Sequence, residues 1–298
     1  MSIYNYIDMK FINPLVSLPH QLFYHAKKKY SPLNKNKREN HIIVSLTSFP
    51  PRLDTLHYTL KSILSQSMKP DSLLLYLAKE EISDDSGLPS TILDLKKYGL
   101  EIIYVNDNLK PHKKYYYAMK HYPNSIIITI DDDVIYNKNL IRDLYNSYLK
   151  YPLAVSAKRV HKMLKDENNN LVPYDEWLYE YKKETIPSFD LITTGVGGVL
   201  FPPGILPDEA FDMDKITEFC LNADDIWLKF MELKNNIPVA WVKGHKIHPY
   251  IIRRTQKVSL QKSNYHDNQN DKYITALQDH YGVKLATFLT DSSIINRI

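Results

Sequence analysis

Three consecutive carboxylates, Asp131, Asp132 and Asp133, follow a segment at 126–130 that contains four isoleucines. Such an apolar run is typical of a strand buried on both faces of a parallel sheet. The acids then lie at its carboxyl end, where α/β sheets bind ligands. Alternation along an extended chain predicts Asp131 and Asp133 on one side and Asp132 on the other. Two same-side carboxylates suit a hard divalent cation, with phosphate oxygens and water completing its shell.

A solvated turn is the alternative for this triplet, because an acid can cap the helix predicted from Leu140, Leu144 and Leu149. A turn needs only one aspartate, however, and gains nothing from three mutually repelling charges. The triplet therefore favours a cation site.

A second acidic pair, Asp224 and Asp225, opens a predicted helix with the apolar stripe Ile226, Phe230 and Leu233. Acids in a first helical turn are stabilised by the helix dipole, so the pair has a purely structural interpretation. Its alternative is a place in a catalytic centre, where carboxylates act as acids or bases.

Glycine is scarce, and four of the eight glycines fall at Gly195, Gly197, Gly198 and Gly204. Their clustering indicates either close backbone approach to a ligand or a tight hairpin without one. His245 and His248 follow a predicted strand and a glycine, and they are either structural or a third metal ligand.

Strands alternate with helices between residues 41 and 150, which predicts an α/β fold with a mostly parallel sheet and right-handed crossovers. Asp107 follows one of these strands, and Lys113 and Lys114 lie on the next helix. The second half is less regular, with an exposed loop or hairpin at 167–170. We predict strands at 41–47, 72–78, 101–105, 153–157 and 238–243, and a late amphipathic helix at 271–281.

The composition is that of a globular protein: 298 residues, 44% hydrophobic and 24% charged. The net charge of +4 is too small to indicate nucleic acid. Cys220 is the single cysteine, so an internal disulfide is impossible and a reducing compartment is expected. Asp8 and Lys10 interrupt any secretory pattern, and we expect neither export by that route nor a membrane span.

Residues 1–40 form a predicted appendage in which apolar and aromatic residues precede a basic cluster at 27–38. This combination predicts either an interfacial segment on an anionic membrane or a packed helix followed by a polar linker. Pro14 and Pro19 are expected to break any long helix.

Taken in order, four motifs resemble those of GT-A-fold (Rossmann-like) glycosyltransferases over about residues 41–250. They are the segment 45–52, the acidic triplet of the DxD type, the glycines at 195–204 and the segment 223–228. The likeness is greatest to bacterial capsule and lipopolysaccharide enzymes, with some similarity to exostosin-like transferases. It implies a nucleotide-binding half at 41–150, an acceptor half at 151–250 and a packed extension at 251–298.

The resemblance implies a metal-dependent hexosyltransferase-like enzyme that uses Mn²⁺ or Mg²⁺ and a nucleotide-sugar donor, UDP-linked by expectation. Asp133 is the expected direct metal ligand, and Asp131 contacts the ribose or the metal through water. Asp225 and Asp224 belong to the catalytic centre by this resemblance. Asp225 corresponds to the acid that is the general base in inverting relatives and that lies near the reacting sugar in retaining ones, so the stereochemistry stays open. The expected donor-binding residues are Thr47, Ser48, Phe49, Arg52, Asp107, Lys113, Lys114, Asp131, Asp132, Gly197 and Gly198, although the three cations are alternatively solvated surface charges.

The acceptor implied is a glycan or lipid-linked intermediate of bacterial surface polysaccharide synthesis, at the cytoplasmic face of the membrane and without nucleic acid. A nucleotidyltransferase is a second enzymatic interpretation, because it also uses paired acids and Mg²⁺ on an α/β sheet. A carbohydrate-binding relative without catalysis is the non-enzymatic one.

Overall fold

A computed structural model of the chain describes residues 13–183, 186–244, 250–253, 255 and 268–293. Its α-helices are α1 (Asn13–Ala26), α2 (Leu53–Ile63), α3 (Ser90–Leu93), α4 (Lys113–His121), α5 (Leu140–Lys150), α6 (Met213–Lys215), α7 (Asp224–Lys234) and α8 (Gln269–Tyr281). Its strands are β1 (Ile42–Thr47), β2 (Ser72–Ala78), β3 (Leu100–Val105), β4 (Ile126–Thr129), β5 (Val134–Ile135), β6 (Val155–Ala157), β7 (Val160–Lys162), β8 (Leu191–Thr193), β9 (Val199–Phe201), β10 (Val239–Trp241) and β11 (Tyr250–Ile251).

The chain divides into two compact units. One unit is built from Met1–Asn108, Lys113–Asp143 and Gly244–Ser259. The other is built from Leu109–His112, Leu144–Lys243 and Leu260–Ile298. The domain boundaries expected from the sequence, near residues 40, 150 and 250, remain predictions.

The first unit contains four parallel strands in the order β4-β1-β2-β3. Strands β1, β2 and β4 consist largely of apolar residues, as in the fully buried segment Ile42–Leu46, because helices cover them, whereas β3 at the edge contains the exposed Glu101. Helix α4 packs on β1, β2 and β4. Since all four strands run the same way, their carboxyl ends lie at one edge of the sheet.

The second unit mixes strand directions. Strand β6 pairs in parallel with β10 and antiparallel with β9, while β7 and β8 form a separate antiparallel pair. The prediction of an α/β protein with a mostly parallel sheet flanked by helices is confirmed, and the antiparallel pairs are the part that the sequence pattern did not predict.

The expectation that proline breaks the N-terminal helix is wrong. Helix α1 begins at Asn13 and continues through Pro19 to Ala26. Pro14 lies in its first turn, where a missing N–H costs no helical hydrogen bond. Among the residues that the structure describes, no helix has both the length and the apolar character needed to cross a membrane.

Candidate active site

The strand order of the first unit reverses at β1. The chain proceeds from β1 to β2 to β3 on one side and then returns to place β4 on the other side of β1. Between β1 and β4 lies a topological switch point, and the crevice outside the carboxyl ends of two such strands is where open α/β sheets bind ligands. The segments that leave these strands at this point are 48–52 and 130–133.

Arg52 joins the two segments. Its Nη1 lies 2.7 Å from Asp133 Oδ2 and 3.2 Å from Asp132 Oδ1. Ser48 Oγ donates a 2.5 Å hydrogen bond to Asp132 Oδ2, and Thr59 Oγ1 donates to the Asp132 backbone oxygen at 2.9 Å. Thr59 was not singled out in the sequence, because a lone threonine within a helix carries no functional signal. Ser48 and Arg52 thus fix the Asp132 carboxylate, and Thr59 fixes its backbone.

A tight turn after β1 positions the guanidinium. Pro50 and Pro51 begin a short 3-10 helix that ends at Arg52, whose N–H donates to the Phe49 carbonyl at 2.9 Å. The guanidinium carbon lies 5.8 Å from the centre of the Phe49 ring. Prolines preset this turn because their φ angles are already restricted.

The alternation expected for the three acids is wrong. Strand β4 ends at Thr129, and residues 131–133 form an irregular segment and a turn, so the two-residue period of a strand does not apply to them. Asp132 and Asp133 therefore contact the same arginine nitrogen.

Asp131 contacts a second cation. Lys114 Nζ, in the first turn of α4, lies 2.8 Å from Asp131 Oδ1. The Asp131 N–H donates to the Tyr136 hydroxyl at 2.9 Å, and Ser45 Oγ on β1 donates to the Lys114 carbonyl. Tyr136 is a site residue that the sequence did not indicate.

The interpretation of the cations as solvated surface charges is wrong for Arg52, Lys113 and Lys114, which are 5%, 2% and 5% exposed. Lys113 Nζ donates to Asn108 Oδ1 and lies 3.7 Å from Glu81 Oε2.

Two other expected donor-binding residues have backbone contacts. Thr47 Oγ1 donates to the Tyr76 carbonyl at 2.8 Å. Asp107 is exposed, and its carbonyl accepts a hydrogen bond from Tyr117 Oη at 3.1 Å. These contacts of Thr47 and Asp107 do not involve the acidic triplet. Of the expected donor-binding residues, the structure brings Ser48, Arg52 and Lys114 into contact with the three acids.

Burial and charge act in opposite directions in this cluster. Burial disfavours the charged form of Arg52, but Asp133 and Asp132 outweigh that effect and raise the pKa of Arg52 above its ordinary value. Burial raises the pKa of Asp132 against the opposing effect of Arg52. Burial, together with the charge of Asp131, raises the pKa of Tyr136. Arg52 therefore stays charged, and the tyrosine stays neutral.

Two of the three acids have the exposure and the oxygen donors that a divalent cation needs. The Asp131 and Asp133 side chains are 29% and 13% exposed and present hard oxygen donors, which matches a site with one or two protein carboxylates completed by phosphate and water. Within the described ranges, no set of three or more His, Cys, Asp or Glu side chains is arranged to hold a metal. His245 and His248, the expected additional ligands, lie outside the described residues.

The second unit contains the other acidic pair. Asp224 and Asp225 begin α7, with Asp224 buried and Asp225 half-buried. The Gly195 N–H donates to Asp225 Oδ1 at 3.2 Å. The structure thus places the first glycine of the segment in contact with a candidate catalytic carboxylate.

The glycine segment also passes close to Arg159. A Cβ at Gly197 would lie 2.6 Å from the Arg159 backbone nitrogen, and Gly198 has a φ of 82°. Arg159 Nη1 donates to Thr194 Oγ1, and its Nε donates to Glu180 Oε1, both at 3.1 Å. Glycine is required here by the neighbouring backbone itself. The sequence did not indicate Arg159, because its contact depends on the pairing of β7 with β8.

Comparison with known proteins identifies no family. No protein-family profile matches the chain, and no curated protein sequence matches it. Among solved structures, the chain is similar to the mannosyltransferase PcManGT from Pyrobaculum calidifontis in complex with GDP-Man and Mn²⁺, at 14% identity and a TM-score of 0.42. That likeness covers 79% of this chain and 64% of the mannosyltransferase, so the chain spans less than two thirds of that protein.

A second likeness is to CMP:2-keto-3-deoxy-manno-octonic acid synthetase complexed with CTP. The identity is 10% and the TM-score is 0.40, over 70% of this chain and 90% of the synthetase. At such low TM-scores neither likeness decides the function of this chain, which depends on its own side chains.

Proposed function

We propose that the chain is a metal-dependent glycosyltransferase that moves a sugar from a nucleotide-diphosphate sugar to a glycan or lipid-linked acceptor. One observation carries the proposal. Three carboxylates and two cations, Arg52 and Lys114, meet at the switch point between β1 and β4. Both kinds of group suit a nucleoside diphosphate, since the carboxylates would hold a divalent cation that neutralises phosphate charge, and the fixed cations would pair with the charge that remains.

The roles follow from this arrangement. Asp133, with Asp131, would hold the divalent cation, and the cation would supply charge stabilisation for a departing diphosphate. Ser48 and Arg52 keep Asp132 in place, and the 47–52 turn contacts the base and ribose. Lys114 Nζ, which pairs with Asp131, would move from that carboxylate to a phosphate oxygen when the donor binds.

In the second unit, Asp225 is the proposed acid-base residue. Its carboxylate accepts a hydrogen bond from the Gly195 N–H, which orients one oxygen. In an inverting enzyme Asp225 takes the proton of the acceptor hydroxyl. Asp224 supports it from the same helical turn, and Gly197 and Gly198 line the sugar and acceptor.

The finer assignments are supported by the sequence motifs alone. They are a UDP-linked donor, an acceptor in bacterial capsule, O-antigen or lipooligosaccharide synthesis, and action at the cytoplasmic face of the membrane.

A thermal-shift screen of nucleoside diphosphates and nucleotide-sugars, with Mn²⁺ and with EDTA, tests the donor site. We expect a rise in Tm that requires both Mn²⁺ and a diphosphate, because a ligand that binds only the folded state stabilises it. Asp133→Asn should abolish that rise. Asp143→Asn, on α5 and paired with Arg142, is the matched control and should keep it. An unchanged rise in the Asp133→Asn variant would remove Asp133 from the site.

A product assay separates the enzyme classes. Release of nucleoside diphosphate from a nucleotide-sugar supports the transferase. Release of pyrophosphate from a nucleoside triphosphate and a sugar phosphate would instead identify a nucleotidyltransferase. Mn²⁺-dependent binding without either product would identify a non-catalytic carbohydrate-binding protein.

A further inference from the structure

Helix α1 is attached to the first unit by one face. Tyr24 is buried against Ile135 and Ile252, and its carbonyl accepts a hydrogen bond from Lys61 Nζ at 3.0 Å. His20 stacks on Tyr250 with ring centres 4.1 Å apart. These contacts fix which side of the helix points outward.

The outward side is apolar. Successive residues of an α-helix are about 100° apart, so Leu18, Pro19, Leu22, Phe23 and Ala26 span an arc of about 140° opposite the buried residues. All five are exposed, and the side chains of Leu22 and Phe23 are 61% and 56% exposed. We call these five residues the apolar face of α1. A helix that packs on a domain normally exposes polar residues there, so this face is suited to an apolar partner.

Positive charge follows the apolar face along the chain. Four exposed lysines, Lys28, Lys29, Lys35 and Lys37, follow the helix. Between residues 9 and 38 the sequence contains no aspartate or glutamate. The apolar face and the positive charge therefore occur in one segment without a compensating acid.

We infer that the apolar face of α1 docks on an anionic lipid surface, with the lysines that follow it contacting the lipid headgroups. A helix that lies in the membrane interface combines these two features, since its apolar side chains enter the acyl boundary while cations attract the anionic leaflet. A second copy of the chain is a poorer occupant, because pairing two such faces would bring their lysines together. The inference does not depend on the proposed sugar transfer.

Cosedimentation of the full-length protein with vesicles tests the inference. We expect binding to vesicles of phosphatidylglycerol and phosphatidylcholine, and at least about 10-fold weaker binding to pure phosphatidylcholine, since the cations contribute only at an anionic surface. The double variant L22S/F23S should lose binding by a similar factor. Leu153→Ser removes a leucine that is 81% exposed in the second unit and should bind like the unaltered protein.

A second variant separates charge from apolar contact. K28E/K29E should reduce binding to the anionic vesicles, and the binding that remains should fall less with added salt. Thermal unfolding of each variant confirms that it is folded. Equal binding of L22S/F23S and the unaltered protein would overturn the inference. So would a self-associating species that disappears in L22S/F23S while no vesicle binding is seen, which would show that the face binds a second copy instead.

Discussion

Arg52 holds Asp133 in an ion pair of 2.7 Å between Nη1 and Oδ2, and the two side chains are only 6% and 13% exposed. Asp132 Oδ1 lies 3.2 Å from the same nitrogen. A buried guanidinium thus stabilises two of the three acids. The proposed metal would share these carboxylates with an arginine that is already in place.

Replacing Arg52 with methionine should destabilise the first unit. Removing one partner of a buried pair leaves an uncompensated charge and costs about 3–5 kcal/mol. Because Mn²⁺ can supply part of the missing charge, the ion should raise the Tm of Arg52→Met by more than it raises that of the unaltered protein. Denaturation in urea and thermal unfolding with EDTA or Mn²⁺ measure the two effects.

Arg142→Met is the control for Arg52→Met, since Arg142 is half exposed and pairs with its neighbour Asp143. Its free energy of unfolding should change by less than about 1 kcal/mol, as for other surface pairs. The same Mn²⁺ shift in both variants would show that Arg52 and the metal do not share the acids.

Asp225→Asn should retain the fold and donor binding but lose activity. Asparagine keeps an oxygen that can accept the Gly195 N–H, so the hydrogen bond at 3.2 Å is preserved. It cannot take a proton, and loss of a general base typically lowers the rate by about 10²-fold or more. The kcat of sugar transfer and the calorimetric Kd of the nucleotide measure the two properties. Full activity of Asp225→Asn would exclude Asp225 as the base.

Gly197→Ala should destabilise the second unit. The new Cβ would lie 2.6 Å from the Arg159 backbone nitrogen, which cannot rotate away. Overpacking of this kind costs about 1–3 kcal/mol, and a backbone neighbour places the change at the upper end. Gly87→Ala is the matched control, because its Cβ meets only an Ile82 methyl group at 3.2 Å. Equal unfolding free energies for the two variants would contradict the close approach at Gly197.

His57 should make the fold sensitive to acid. Burial, with a further contribution from Lys61, lowers the pKa of His57 to about 4, whereas an unfolded histidine titrates near 6.5. Between these values the unfolded chain binds a proton that the folded chain does not, so the free energy of unfolding falls as the pH drops from about 6.5 to about 4.

His57→Gln should flatten that decline, because glutamine does not titrate. Urea denaturation at several pH values compares His57→Gln with the unaltered protein. An identical slope in His57→Gln and the unaltered protein would assign the acid sensitivity to other groups.

Local patterns were sufficient for most elements of the fold. The apolar run at Ser72–Ala78 is a strand with the predicted bounds, and the helical spacing from Leu140 yields α5. These patterns succeed because a buried parallel strand must be apolar on both faces and a surface helix on only one. The antiparallel pairing of β6 with β9 was not predicted, since pairing joins segments far apart in the chain and leaves no local period.

The sequence by itself determined that acids follow a buried strand and that an acidic pair opens a helix, because these features depend on neighbours in the chain. Only the tertiary structure decided their partners. The return of β4 to the side of β1 brings Ser48 and Arg52 to Asp132 and Asp133, across about 80 residues of sequence. Because β4 ends at Thr129, the three acids lie outside the strand and do not alternate between its two sides. Arg52 and Lys114 are buried and paired with acids, because a charge removed from water is stable only beside an opposite charge.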